Sequence, residues 1–268
     1  MRSTFLIIAG SFLLLWGCSP YSKTNHAYKK QAKEFAKILR EYPVQDSAGL
    51  TYADHWVGTT NFTMRRPNFV VIHYTAQNSC EQTLRTFTLP RTQVSAHYVI
   101  CKDGTVHHML NDLLRAHQAG VSKWGNNVDL NSSSIGIEID NDGFEPFTPE
   151  QVNSLLTLLG RLKRAYNIPT ANFMGHADVA PGRKIDPGRL FPWKQLSDSG
   201  YGYWYDTTNT KIPVSFNALQ AMRIVGYNVK DSFAAIQSFK MHFDQTDSSK
   251  TLTDIDRKIL ADLVNKYY

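Results

Sequence analysis

A mixed α/β sheet flanked by helices, followed by a small all-helical unit, is the fold class that this 268-residue chain predicts. Three observations carry that expectation. Strand-like apolar runs recur through the middle of the chain and alternate with helical patterns; one of those helices has a complete start signal and a leucine stripe; and a polar break near residue 206 leads into three more helical stretches. Such an order points to one sheet covered by helices, with functional groups at strand ends and in loops.

Residues 1–17 stand outside the fold. Arg2 is the one early charge, and the apolar stretch from Phe5 to Trp16 is short for a bilayer span but suits a signal-peptide core. The stretch ends at Leu15-Trp16-Gly17-Cys18, which resembles the lipobox of bacterial lipoproteins, with Cys18 as the lipidated first residue of the mature chain. Trp16 is bulkier than usual there, and an ordinary secretory signal or a short anchor helix with an accidental cysteine is the alternative. Ser19 in place of an aspartate implies, by the same resemblance, a lipid anchor in the outer membrane with the chain facing the periplasm. Each buried acyl CH₂ adds about 0.8 kcal/mol to such anchoring.

Residues 18–45 read as a tether with a basic helix, in which Lys29, Lys30, Lys33 and Lys37 follow helical spacing. A solvated face is one reading and attraction to anionic headgroups or an acidic polymer is the other. The net charge of +6 is modest, and outside the cytoplasm no nucleic-acid partner is expected.

Residues 46–205 form the main domain. Strand signals fall at 69–74, 95–101, 105–109 and 134–140, with Asp103-Gly104 supplying turn chemistry between the second and third. Thr148-Pro149-Glu150-Gln151 is a capping box with proline at the first helical position; Val152, Leu155, Leu156, Leu159 and Leu162 then build a core stripe. Cys80 and Cys101 remain once Cys18 is set aside, too few for a disulfide framework, and their pairing stays open. After the polar run 206–211, helices are expected at 215–225, 232–243 behind Asp231, and 254–267 behind Thr253. Residues 206–268 thus form a small helical domain without a catalytic constellation.

His73, His176 and Asp186 carry the candidate chemistry. The apolar run 69–72 ends at His73, the run 172–175 ends at His176, and a Pro/Gly-rich loop delivers Asp186. Two neutral imidazoles and a carboxylate suit one zinc ion per chain and leave a fourth tetrahedral position open, as catalytic sites do. With nine histidines, an accidental grouping is the competing reading. In strand 134–140 the isoleucines at 135, 137 and 139 face one way and Glu138 the other, as a general base or a surface carboxylate. Lys184 is either an oxyanion-stabilising cation or an ordinary loop lysine.

Four ordered segments resolve these alternatives by resemblance: Val71-Ile72-His73-Tyr74-Thr75-Ala76, Val94-Ser95-Ala96-His97-Tyr98-Val99-Ile100, Asn131-Ser132-Ser133-Ser134-Ile135-Gly136-Ile137-Glu138, and the run from Gly175-His176-Ala177-Asp178 to Lys184-Ile185-Asp186-Pro187-Gly188 and on to Trp193. They resemble the zinc-dependent type 2 N-acetylmuramoyl-L-alanine amidases, relatives of peptidoglycan recognition proteins. The resemblance implies zinc on His73, His176 and Asp186, a catalytic carboxylate at Glu138 and an oxyanion-stabilising Lys184. The implied reaction is hydrolysis of the amide between N-acetylmuramic acid, or its anhydro form, and L-alanine in peptidoglycan or muropeptides. A monomer is expected. Two departures stand out. Ala96 replaces the tyrosine that some relatives carry before the second-segment histidine, and Gln118 replaces a histidine in a Trp-His-Ala-Gly run. Tyr74 and Trp124 are candidate substrate contacts or packing aromatics. The lipobox and the helical tail together resemble the outer-membrane lipoprotein subgroup, whose tail is a small peptidoglycan-binding domain. A non-hydrolysing recognition module and a zinc endopeptidase acting within the stem peptide are the competing functions.

Overall fold

The computed structural model describes residues 19–41, 57–64 and 66–268, so Cys18 and the signal-like segment lie outside the described residues. The chain divides into two compact units, Met1–Phe62 and Thr63–Tyr268. In the first, helix α1 (Ser22–Ile38) has no buried residue, as its run of lysines dictates, and Lys37 in its last turn complements the helix dipole. Among the described residues no helix is long and apolar enough to cross a membrane.

The second unit is built in the order β1 (Phe69–Tyr74), α2 (Cys80–Thr88), β2 (Tyr98–Ile100), β3 (Val106–His108), α3 (Leu130–Ser133), β4 (Ser134–Ile139), α4 (Pro149–Tyr166), β5 (Phe173–Gly175), α5 (His176–Val179), α6 (Trp193–Asp198), α7 (Ala218–Val225), α8 (Ser232–Phe243) and α9 (Asp254–Tyr267). The sheet order is β3-β2-β4-β1-β5. β1 pairs in parallel with β4 and β5, β2 is parallel to β4, and only β3 runs antiparallel. The expected mixed sheet covered by helices is therefore the observed one.

Side-chain alternation along β1 splits the core. Val70 and Ile72 join Ile135, Ile137 and the α4 leucines 155, 158, 159 and 162 on one face. Val71 turns to the other, where Met174 packs with Met222, Phe239, Leu260 and their neighbours on α7, α8 and α9. Each fully buried Leu, Ile or Val contributes roughly 1.5–3 kcal/mol. The three C-terminal helices thus share a hydrophobic core with the sheet. Their starts follow the sequence signals: Asp231 accepts from Ala234 N–H, and Thr253 and Asp256 form a reciprocal capping box like that of Thr148 and Gln151. The first begins at Ala218 instead of 215, since Asn217 caps it. A disulfide joins Cys80, at the start of α2, to Cys101, just past β2.

Candidate metal centre

β1 lies inside the sheet with a parallel neighbour on either side, and the crevice beyond the carboxyl ends of such strands is where α/β sheets bind ligands. His73 occupies that end of β1, opposite Glu138 of β4 in register. His176 is the first residue of α5, immediately after β5. Gly175 is required at that joint: a Cβ there would meet Pro187 Cδ at 2.6 Å and the Trp193 ring at 3.0 Å. Asp186 comes from the loop beyond, and Ala177 N–H donates to the Asp186 carbonyl at 2.8 Å, fastening one ligand segment to the other.

Three buried side chains converge there. His73 Nδ1 and His176 Nδ1 are 3.0 Å apart, and Asp186 Oδ2 lies 2.8 Å from the first and 3.0 Å from the second. The outer nitrogens are engaged elsewhere. His73 Nε2–H donates to Gln118 Oε1 at 2.6 Å and His176 Nε2–H to the Ala119 carbonyl at 3.1 Å. Acceptors on the outside fix the protons there and direct both Nδ1 lone pairs inward beside the carboxylate, the usual outer support of metal-ligating histidines. The donor chemistry fits one borderline-soft divalent ion such as zinc. Among the described residues, two other groupings have the same loose composition. Cys80 and Cys101 near His107 are joined as a disulfide, and Asp247 and Asp256 already hold the Lys240 ammonium.

The electrostatics agree with a cation at this point. Burial pushes His176 down to about 4, with repulsion from His73 adding to it, so its imidazole is neutral at physiological pH. Burial opposes charge on His73 too, but Glu138 and Asp186 outweigh it and raise its pKa. Desolvation would raise Asp186, yet its contacts with the His176 and His73 rings hold its carboxyl well below the usual carboxylate range. Glu138 is lifted by burial to about 7, against the pull of His73 and Lys184. Its Oε2 is buried and, among the described residues, meets no hydrogen-bond donor. A desolvated carboxylate without partners, beside a ligand cluster, is poised to take and release a proton near neutrality.

Lys184 is half-buried in the same loop, close enough to lower the Glu138 pKa. Tyr74 follows His73, touches the 143 and 188 positions, and feels the charges of Asp186 and Asp142, so it flanks the centre. Trp124 lies elsewhere: it is 8% exposed, set edge-on to the Tyr227 ring at 5.0 Å and closed over by Gly226. It packs in the apolar cluster shared with the C-terminal helices. Gln118 entered as a departure from a family pattern, and the structure makes it the partner of His73. Its amide also donates to Ser134 Oγ at 2.8 Å. Sequence signals could not show this, since the contact spans 45 residues.

A parallel-centred sheet that gathers two histidines, one aspartate and an unpaired glutamate at its carboxyl edge defines a hydrolase able to hold one metal ion. Comparison with known proteins narrows that class. Residues 63–189 match the N-acetylmuramoyl-L-alanine amidase model Amidase_2. The N-acetylmuramoyl-L-alanine amidase AmiD of Escherichia coli is 33% identical over 213 residues, 68% of this chain and 76% of the relative. The structure of that amidase in complex with anhydro-N-acetylmuramic acid-L-Ala-D-gamma-Glu-L-Lys superposes with a TM-score of 0.69 at 30% identity, covering 78% of this chain and 93% of the other. AmpDh3 of Pseudomonas aeruginosa, in complex with anhydromuramic pentapeptide, gives 0.71 at 29% identity over 81% of this chain and 99% of the other. The chain belongs to the N-acetylmuramoyl-L-alanine amidase family.

Proposed function

We propose that this protein is a zinc-dependent N-acetylmuramoyl-L-alanine amidase, which hydrolyses the amide between the lactyl group of N-acetylmuramic acid, or its anhydro form, and L-alanine of the stem peptide. One observation carries the reading: the convergence of His73 Nδ1, His176 Nδ1 and Asp186 Oδ2 within 3.0 Å of one another, beside Glu138 in register with His73. The muropeptide complexes of its relatives support the substrate class.

His73, His176 and Asp186 would hold the zinc. Zinc in such a site supplies Lewis acidity, polarising a carbonyl and making water acidic enough to act as a nucleophile near neutral pH. Glu138 accepts a proton from the attacking water and returns it to the nitrogen of L-alanine as the C–N bond breaks. Lys184 places positive charge near the carbonyl oxygen as it becomes negative. The products are a muramyl carboxylate and a stem peptide with a free L-alanine amine, so the added water is fully accounted for.

The lipobox at Cys18 and the following Ser19 support a lipid anchor in the outer membrane, with a monomeric enzyme facing periplasmic peptidoglycan. Mass spectrometry of muropeptides treated with the mature protein tests the reaction: free stem peptides beginning with L-alanine are expected, disappearing with chelator and returning with zinc. Intact sugar-proximal amides after treatment with zinc-loaded protein would overturn it. Palmitate labelling abolished by Cys18→Ala tests the anchor, and labelling that persists in that variant refutes it.

A further inference from the structure

Two residues past the ligand His176 sits Asp178, a carboxylate 2% exposed that the reaction does not use. Its Oδ2 accepts from Gly175 N–H and from His242 Nδ1–H, both at 2.8 Å, and its Oδ1 accepts from the Tyr227 hydroxyl at 2.7 Å. Asp178 and Gly175 thereby clasp the backbone on either side of His176. The other two donors come from the C-terminal helices: Tyr227 follows α7 and His242 lies near the end of α8. Both are buried, so water does not stand in for either bond.

The His242 ring is held as well as its nitrogen. It stacks on Trp193 at 3.9 Å with 12° between the planes, and on Phe243 at 4.1 Å and 19°. Trp193 in turn bounds Gly175, the residue that Pro187 also presses against, directly beside Asp186. The ligand-bearing segments 175–178 and 186–187 are therefore braced from the C-terminal side through one carboxylate and one stacked ring. Outer-shell groups of this kind set metal affinity by fixing where the ligand atom points.

We infer that Asp178, Tyr227 and His242 are positioning residues for the metal centre, and that α7 and α8 form part of its scaffold. The inference rests on reading His73, His176 and Asp186 as the zinc ligands, and its test separates the two. Zinc dissociation constants of the full mature chain are measured by competition with a chromophoric chelator, alongside circular dichroism and thermal unfolding. His242→Phe keeps a stacked ring and removes the donor; His242→Asn keeps a donor at the Nδ1 position; Tyr227→Phe removes a single oxygen.

Zinc is expected to be held roughly 10–100-fold more weakly by folded His242→Phe. A smaller loss is expected in Tyr227→Phe, with His242→Asn recovering affinity. In turnover, kcat falls while KM is unchanged. Wild-type zinc affinity in folded His242→Phe and Tyr227→Phe, together with unaltered kcat, overturns the inference even if their melting temperatures drop, since the network then only fastens helices to the sheet. Should His242→Phe not fold, Tyr227→Phe decides the matter. A wild-type chain that holds no zinc, or a His176→Ala variant that holds it equally well, overturns the underlying ligand assignment instead.

Discussion

Replacing Gln118 by leucine isolates the support behind one ligand. The side chains are close in volume, yet leucine removes the acceptor that Gln118 Oε1 presents to His73 Nε2 at 2.6 Å. It also removes the amide donor that fixes Gln118 itself to Ser134 Oγ. His73 is 2% exposed, so its outer N–H is left without a partner, at a cost of about 1–3 kcal/mol. Loss of an outer-shell partner independently predicts a 10–100-fold drop in metal affinity, which converts to about 1.4–2.8 kcal/mol. The two routes agree because both count the same hydrogen bond. Gly136→Ala should reproduce the effect with both residues left in the sequence, since its Cβ would fall 2.5 Å from Gln118 Cγ and drive the side chain off His73. Competition with a chelator reads the affinity, and muropeptide turnover at limiting zinc reads the consequence. Gln118→His, which restores an acceptor, is expected to bind zinc like the wild type. An unchanged zinc dissociation constant in Gln118→Leu would refute the reasoning.

Glu138→Gln should lower kcat by about 10²–10⁴-fold and erase the rise of activity with pH that a base titrating near neutrality produces. Because folding raises this carboxyl from 4.5 to about 7, its stabilising effect is present below 4.5 and lost as pH rises through 7; metal-free Glu138→Gln should therefore melt above the metal-free wild type at pH 8, and an equal or lower melting temperature would contradict the burial argument. Trp124→Ala is expected to cost about 3–5 kcal/mol of stability, read by denaturant unfolding, with KM for muropeptides unchanged in the folded protein; a raised KM would return Trp124 to the substrate cleft. Serine at both Cys80 and Cys101, which stand 21 residues apart, should cost about 3 kcal/mol by the entropy of the released loop while leaving kcat intact, and a loss of kcat at full stability would tie the bridge to catalysis.

The strands that carry the site were legible because β1 opens on the continuous apolar run 69–72 and ends in His73 and Tyr74, the pattern of a parallel strand buried on both faces, while β4 alternates its isoleucines with Ser134, Gly136 and Glu138. α4, α8 and α9 were legible through their caps, where Thr148, Asp231 and Thr253 each precede a helical stripe. α2 was not: it is short, and its Ser79 cap follows other polar residues that mask it. The second strand starts at Tyr98, later than its sequence pattern indicates, as Ser95 gives its N–H to the loop carbonyl of His117. Among site residues, His73, His176, Asp186 and Glu138 stand at element ends where local pattern exposes them. Gln118 and Asp178 do not, because what defines them is a partner 45, 49 or 64 residues away. Trp124 shows the converse, an aromatic whose role is decided only by the helices that cover it.

The shared core beneath α7, α8 and α9 has a practical consequence for anyone trimming the chain. A protein ending at residue 205 would strip the covering helices from Val71 and Met174 of the sheet and from Ala119, Trp124 and Val179 beside them. An uncovered apolar surface of that kind invites self-association. Shortening the gene to its family-matching segment would therefore yield aggregate and chaperone-bound material instead of a minimal enzyme.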